Sequence, residues 1–485
     1  MINRRNLIAG GATLAAGAIA EARTRRATAL QPPGRSLPPL FDDIEGRTFR
    51  YFWDTANPRN GLVPDNWPNP NFCSIAAVGF ALTAYPVGIE RGWITRAQGR
   101  ARTLATLRFF HDAPQGDTPT GTTGHRGFFY HFLYIDSGLR YQRVELSSVD
   151  TSLLFGGILF AGAWFDGDHP DEREIRTLAQ AIYERADWPW FQRGQKAISM
   201  GWHPEKGFIA RNWDGYNEGM LVYVLALGSP THPVAADAWR AWTAPYDRFW
   251  RGEGSTRHLA FAPHFGHQYS HMWIDFRGIR DAAMRAAGMD YFENSRRATW
   301  AQRAYAIANP MGWDGYSADI WGLTACVGPA DLEREFNGRI CKFHGYAARG
   351  PIAFPDGLDD GTLAPTAAIG SLAFAPEIVV PAALAMHRSY GPRIYQRYGF
   401  VDAFNPSFRW TDVALQTGSV DRDKGWSSDS YLGIDQGPIL GAIANYRNDF
   451  IWSAMRNSPP IRRGLERAGF SGGWLATPAS SRAPG

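Results

Sequence analysis

The chain has 485 residues, 45 % of them hydrophobic and 14 % aromatic, with a formal charge of +4. Residues 1–29 hold Arg4, Arg5, Arg23, Arg25 and Arg26 against Glu21, so the remainder is neutral and offers no general reason to bind nucleic acid or acidic membranes. Three cysteines exclude a disulfide scaffold, and no CxxC or Cys/His zinc pattern occurs; Cys326 and Cys341 could pair in an oxidising compartment, leaving Cys73 buried and free.

The first element is a leader. Arg4 and Arg5 precede an uncharged, Ala- and Gly-rich run from Leu7 to Ala20, and Ala27-Thr28-Ala29 offers small residues for cleavage. This pattern predicts a twin-arginine-type signal peptide over 1–29 and a periplasmic or secreted protein. The run is shorter than the roughly 20 apolar residues that span a bilayer. A Pro-rich spacer follows over 30–40. No linker or shift in composition interrupts the rest, so 41–485 reads as one domain.

Beyond the spacer the chain reads as helix almost throughout, in two alternating kinds. Asp150–Phe165 is apolar on every side, whereas 172–187 is amphipathic, with Ile175, Leu178 and Ile182 on one face. The pairing recurs in the apolar run Glu218–Leu227 and the amphipathic stretch Trp239–Phe249. Thr366–Tyr390 and Ile434–Tyr446 are predicted as later helices. A helix apolar all round must be covered all round, so an inner ring wrapped by an outer ring is expected, an all-α (α/α) barrel.

In such a barrel the N-termini of the inner helices open into one cavity. Glu145 and Asp150 stand at the start of one apolar helix, Glu218 at another and Asp435 at a third. One acid at a helix start is usually a cap or a dipole partner. Several at equivalent ends point to acid–base chemistry. Loop tryptophans beside Asp, Asn and Gly, such as Trp67, Trp202, Trp213, Trp313 and Trp426, suit the C–H faces of sugar rings. His267 and His271 stand at i, i+4, a zinc-binding spacing on a helix, but position 268 is Gln and no third ligand is spaced to suggest itself. No metal or other cofactor is expected. His131 reads as a hydrogen-bonding histidine.

Seven stretches carry a family resemblance: GFFYHF (127–132), ELSSVDTSLLFGGILFAG (145–162), YNEGM (216–220), HQYSHMWIDFRGIRD (267–281), WGLTA (321–325), DDGTLAPTAAIGSLAFAPE (359–377) and IDQGPILGAIANYRN (434–448). In this order they resemble the glucoamylase-like proteins that include the β-1,2-glucanases of glycoside hydrolase family 144, and the related module of cyclic β-1,2-glucan synthases. The resemblance implies an (α/α)6 barrel and inverting, endo-acting hydrolysis of β-1,2-glucan without a metal. It makes Glu218 the general acid and Asp435 the second catalytic acid. Glu145, Asp150, Trp213, Tyr216, His267, Gln268, His271, Asp275, Trp321, Asp360 and Glu377 are expected to bind substrate. The chain departs from the family pattern at Cys326-Val327-Gly328 and at Tyr134, where an acidic residue is expected. Exo action, a retaining or transglycosylating outcome, and an inactive glycan-binding protein stay open as alternatives.

Overall fold

A computed structural model describes residues 35–354 and 356–476; the leader over 1–29 and the first half of the spacer lie outside the described residues. Among the described residues, twelve of the sixteen α-helices alternate between an outer and an inner position. The outer six are α1 (Leu40–Thr55), α3 (Arg96–Asp112), α5 (Pro170–Glu184), α7 (Asp237–Thr243), α9 (Tyr291–Ala308) and α11 (Pro376–Ile394). The inner six are α2 (Ile75–Glu90), α4 (Ser148–Trp164), α6 (Met220–Gly228), α8 (Tyr269–Trp273), α10 (Pro365–Ile369) and α12 (Gly433–Asn448). This is an (α/α)6 barrel: the alternation predicts the two rings, and the family resemblance implies the six pairs.

Burial follows from composition. Every residue of α6, α8 and α10 is buried, as are the first fourteen of α2. On the outer α5 only Glu172, Ile175, Ala179, Ile182 and Tyr183 are buried, the stripe that a helix packed on one face presents. Inner helices α2 and α4 touch through their backbones. A Cβ on Gly79 would stand 2.2 Å from the Leu153 carbonyl oxygen, and one on Gly157 would stand 2.0 Å from that of Gly79. α12 then packs on α2 to close the ring, and Trp273 of α8 donates from Nε1 to Thr83 Oγ1 of α2 across it at 3.0 Å.

Four expectations are corrected. Helix does not run almost throughout: nine sheets of two or three short strands occupy the connections among the described residues. The predicted helix over 366–390 is broken between Ile369 and Pro376, because Gly370 packs against Gln268 and Pro376 is suited to begin a helix rather than continue one. The stretch 239–249 is likewise cut to α7 and a short 3₁₀ turn over Tyr246–Arg248, with Pro245 between them. Cys326 and Cys341 are both free, since they pair in different sheets, opposite Ala347 and Arg334 respectively.

The backbone contact between α2 and α4 leaves no room for a methyl group. Gly157→Ala should therefore destabilise the protein by about 2 kcal/mol or more, as overpacking against backbone does. Thermal or denaturant unfolding checks this, with Gly194→Ala, in open space but at positive φ, as the strain-only comparison.

Candidate active site

The N-terminal ends of the inner helices surround a cavity of about 550 Å³. The entry to α2 contributes Asp65 and Asn66, and Glu145 comes from just ahead of the short strand Leu146–Ser147 that leads into α4. α4 itself adds Val149, Asp150 and Leu153, α6 is preceded by Glu218, α8 begins at Tyr269, and α12 brings Leu432 and Ile434. Loops complete the wall with His131, Phe132, Met200, Trp213, Phe265, Val327 and Tyr346.

Each acid is held differently. Asp150 sits in the first turn of α4, where Ser147 caps the helix by accepting from the Asp150 amide at 3.1 Å and donates from Oγ to Asp150 Oδ2 at 2.5 Å. His131 stands between two carboxylates, with Nδ1 at 2.8 Å from Glu145 Oε1 and Nε2 at 3.5 Å from Asp150 Oδ1. Burial opposes charge on this ring, but Asp150, Glu145 and Asp65 outweigh it and raise its pKa to about 9. His131 is therefore an imidazolium near neutrality, and its hydrogen bond holds Glu145 below the ordinary range against burial. His131, Glu145 and Asp150 place ligand atoms close enough to hold a cation. With both ring nitrogens protonated, the histidine itself supplies positive charge between these carboxylates.

Glu218 faces the cavity from the turn ahead of α6. It is half-buried, and its Oε2 is buried with no hydrogen-bond partner. Burial, reinforced by the charge of Asp150, raises its pKa to about 7. Asp435 lies one turn into α12, beside the lining residues Leu432 and Ile434 but with its own carboxyl buried behind them. Its neighbour is Asp402. Burial and this second carboxyl push Asp435 well above the carboxylate range, and the two groups hydrogen-bond to one another. Asp402 Oδ2 also accepts from the Val327 amide at 2.7 Å. Two like charges in contact cannot both persist, so the pair carries one proton, which Asp435 donates to Asp402.

Of the residues expected to bind substrate, the cavity brings together Glu145, Asp150 and Trp213, beside Glu218 and the buried Asp435. Trp213 is fixed there by donating from Nε1 to Ser148 Oγ at 2.9 Å. The others lie behind the wall or away from it. Tyr216 is buried with its hydroxyl 3.0 Å from His267 Nδ1. His271 meets Ser295 at 3.0 Å, and burial lowers its pKa to about 3. His267 ends a 3₁₀ turn while His271 belongs to α8, so the two rings are neutral ties to different elements. Gln268 ties α8 to α10 by donating to the Thr366 and Ala367 carbonyls, beside a void of about 20 Å³, room for one water at most. Asp275 follows α8 at the opposite end of the barrel and clamps Arg277 and Arg456. Trp321 is fully buried, Asp360 binds the buried Arg349 through both oxygens, and Glu377 pairs with Arg296 on the outside. These residues sit in apolar stretches that mix core with cleft, and sequence position does not separate the two.

Asp65 and Asp402 were missed, because each lies in a loop outside any apolar helical run. Tyr346 was missed because it lies in a short strand, Tyr346–Ala348, outside any apolar helical run. The only sequence signal for Asp402 is a lone acid within an otherwise apolar segment, Phe400-Val401-Asp402-Ala403-Phe404.

An (α/α)6 barrel with a carboxyl-lined cavity at the N-termini of its inner helices defines the class. The Glycoamylase family profile matches residues 210–459, more than half of the chain, and the chain belongs to this family of glucoamylase-like proteins. A Bacteroides uniformis protein of glucoamylase type is 32 % identical, with a TM-score of 0.76 over 91 % of this chain and 100 % of that one. The endo-β-1,2-glucanase of Chitinophaga pinensis, solved with sophorotriose and glucose, is 26 % identical with a TM-score of 0.75, covering 90 % of this chain and 99 % of that one. The exo β-1,2-glucooligosaccharide sophorohydrolase (non-reducing end) of Parabacteroides distasonis is 27 % identical over 460 residues. That match takes in 88 % of this chain, which spans only 57 % of the length of this curated relative.

The His131 cluster makes stability depend on pH. Its folded pKa of about 9 lies above the ordinary value, so its contribution is complete below about pH 6.5 and is lost as pH rises through 9. The ring retains some solvent contact, so roughly 2 kcal/mol should disappear across this window. Unfolding measured between pH 6 and 10 should show this loss in the wild type and a flattened slope in His131→Gln.

Proposed function

We propose that this chain is a glycoside hydrolase cleaving β-1,2-glucan by acid–base catalysis, with Glu218 as the general acid. The observation that carries this reading is Glu218 itself, half-buried in the cavity wall with an unpartnered carboxyl oxygen and a pKa of about 7. Hydrolysis needs a proton for the leaving oxygen and a basic group on the opposite side of an oxocarbenium-like transition state. A general acid works best when its pKa lies near the operating pH. The position at a helix start favours the anion, and burial outweighs it here.

The opposing group in this proposal is the Asp402–Asp435 pair, with one proton and one negative charge. It would take a proton from the attacking water, directly or through a substrate hydroxyl, as paired carboxyls do in acid proteases. The neutral pair then holds two protons and Glu218 none, and exchange with solvent restores both. Trp213 and Tyr269 offer flat faces to sugar rings, and Glu145 and Asp150 offer acceptors to hydroxyls. The β-1,2-glucan specificity rests on the printed activities of the Chitinophaga and Parabacteroides relatives. Because the second of these is exo-acting, release of disaccharide from the non-reducing end is the competing reading, with endo action preferred. A decayed, purely glycan-binding protein is disfavoured, since no binding role accounts for a buried, unpartnered carboxyl oxygen on Glu218 with a pKa raised to about 7.

Glu218→Gln should lower kcat on natural glucan by roughly 10²–10⁴-fold while leaving glucan binding intact. An activated substrate, whose leaving group needs little protonation, should be partly spared. Asp435→Asn should be impaired equally on both. In the wild type, activity should fall as pH rises through about 7, where Glu218 loses its proton. Near-normal turnover of natural glucan by both variants would remove the assignment and turn attention to Glu145 and Asp150.

Export is part of the same proposal: 1–29 acts as a twin-arginine-type leader and the mature enzyme works in the periplasm or outside the cell. Among the described residues no helix is long and apolar enough to cross a membrane. Intact mass of the periplasmic protein should show a chain beginning near Leu30; a full-length cytoplasmic chain would overturn the localisation.

A further inference from the structure

The strand Phe132–Tyr134 pairs with Phe72–Ser74 as a two-stranded ribbon at the cavity mouth, in the register Phe72↔Tyr134, Cys73↔Leu133, Ser74↔Phe132. Side chains alternate along strands, so Phe72, Phe132 and Tyr134 share one face and Cys73 and Leu133 the other. Cys73 and Leu133 are fully buried in the core. The opposite face is therefore the open one, and Phe132 on it lines the cavity.

Aromatic rings continue outward from there without a gap. His131 stacks on Phe132 with centroids 3.8 Å apart, and Phe132 meets Phe72 edge-on at 4.8 Å. Phe72 stacks on Tyr141 at 4.6 Å, and Tyr141 meets Tyr134 at 4.9 Å. The row begins at the His131–Glu145 pair and ends in solvent at Tyr134, which is 44 % exposed. Tyr141 is held in place by its amide, which donates to the Phe132 carbonyl at 2.9 Å. An exposed tyrosine at the end of a rigid aromatic row contributes nothing to the core. We infer that the Phe132–Phe72–Tyr141–Tyr134 ledge is an outer subsite that stacks sugar rings of a glucan chain beyond those enclosed in the cavity. Flat, pre-ordered rings take up the C–H face of a pyranose at little entropic cost, and the two tyrosine hydroxyls give the ledge a polar rim.

The inference rests on the hydrolase reading, and its test separates the two. Tyr134→Ala and Tyr141→Ala are compared with wild type on β-1,2-linked tetrasaccharide and on long linear β-1,2-glucan. The ledge predicts a three- to tenfold loss of kcat/KM on the long glucan, expressed in KM, with little change on the tetrasaccharide (a stacking contact is worth about that factor). Tyr134→Trp should retain or improve the long-chain value. Equal losses on both substrates, or none on either, would overturn the subsite. If wild type cleaves neither, the hydrolase reading is what fails, and calorimetric binding of long β-1,2-glucan decides the ledge alone. Weaker binding by Tyr134→Ala than by wild type then supports it; equal affinity, or no wild-type binding, overturns it. Tyr134 is exposed, so the variant's thermal midpoint should match wild type and exclude misfolding as the cause.

Discussion

Like charge crowded at one end of an apolar barrel is the constraint on which this structure turns. Asp65, Glu145, Asp150 and Glu218 line one cavity while Asp402 and Asp435 lie buried outside its lining, and that much unbalanced negative charge is intolerable in low dielectric. Three devices relieve it. His131 carries a positive charge between Glu145 and Asp150. Asp402 and Asp435 share a proton, and Glu218 keeps its own close to neutrality. What relieves the crowding also prepares the chemistry, because a held proton and an opposing charge are what acid–base cleavage needs.

The helical ring makes the crowding possible. Parallel inner helices point their N-termini the same way, and the partial positive charge there favours acids. Gly79 and Gly157 let α2 and α4 meet at backbone distance, which brings Asp65 and Asp150, flanking these two helices, to the same rim. The loops then need struts of their own. Arg349, fully buried, binds Asp360 through two hydrogen bonds and donates to the carbonyls of Cys326 and His344. Val327 and Tyr346 adjoin those carbonyls and line the cavity, so Asp360 serves the site by holding its wall, not by touching substrate.

The two-ring architecture was legible because it is written in hydrophobic periodicity: all-round apolar runs and one-faced stripes differ plainly in sequence. Glu145, Asp150 and Glu218 were legible as acids at the starts of apolar runs. Asp402 was not, since nothing local marks a loop aspartate whose partner is thirty-three residues away. His267, Gln268 and His271 show the converse limit. A polar cluster in an apolar stretch can tie helices together as readily as bind a ligand, and only the fold distinguishes them. The short strands were illegible too, because two- and three-residue pairings are set by where the helices place the loops.

The floor and the mouth of the cavity answer to different demands. Proton inventory among the acids is governed by burial and charge, so on the proposed mechanism substitutions there would change whether a glycosidic bond can break. The ledge rings at the mouth take no part in that inventory, and on the subsite reading they alter only how a chain is held. The two stretches expected to depart from the family pattern fall at such wall and mouth positions. Val327 lines the cavity and fixes Asp402 through its amide, while Tyr134 ends the aromatic row. The amide of Val327 needs no particular side chain, so that position is free to reshape the wall without disturbing the pair beneath it. Tyr134 brings a ring and no carboxylate, which on the proposed ledge would favour contact with the apolar faces of a long chain over capture of a polar terminus. Chain-length preference can therefore diverge at these two positions while the acid–base pair stays as it is.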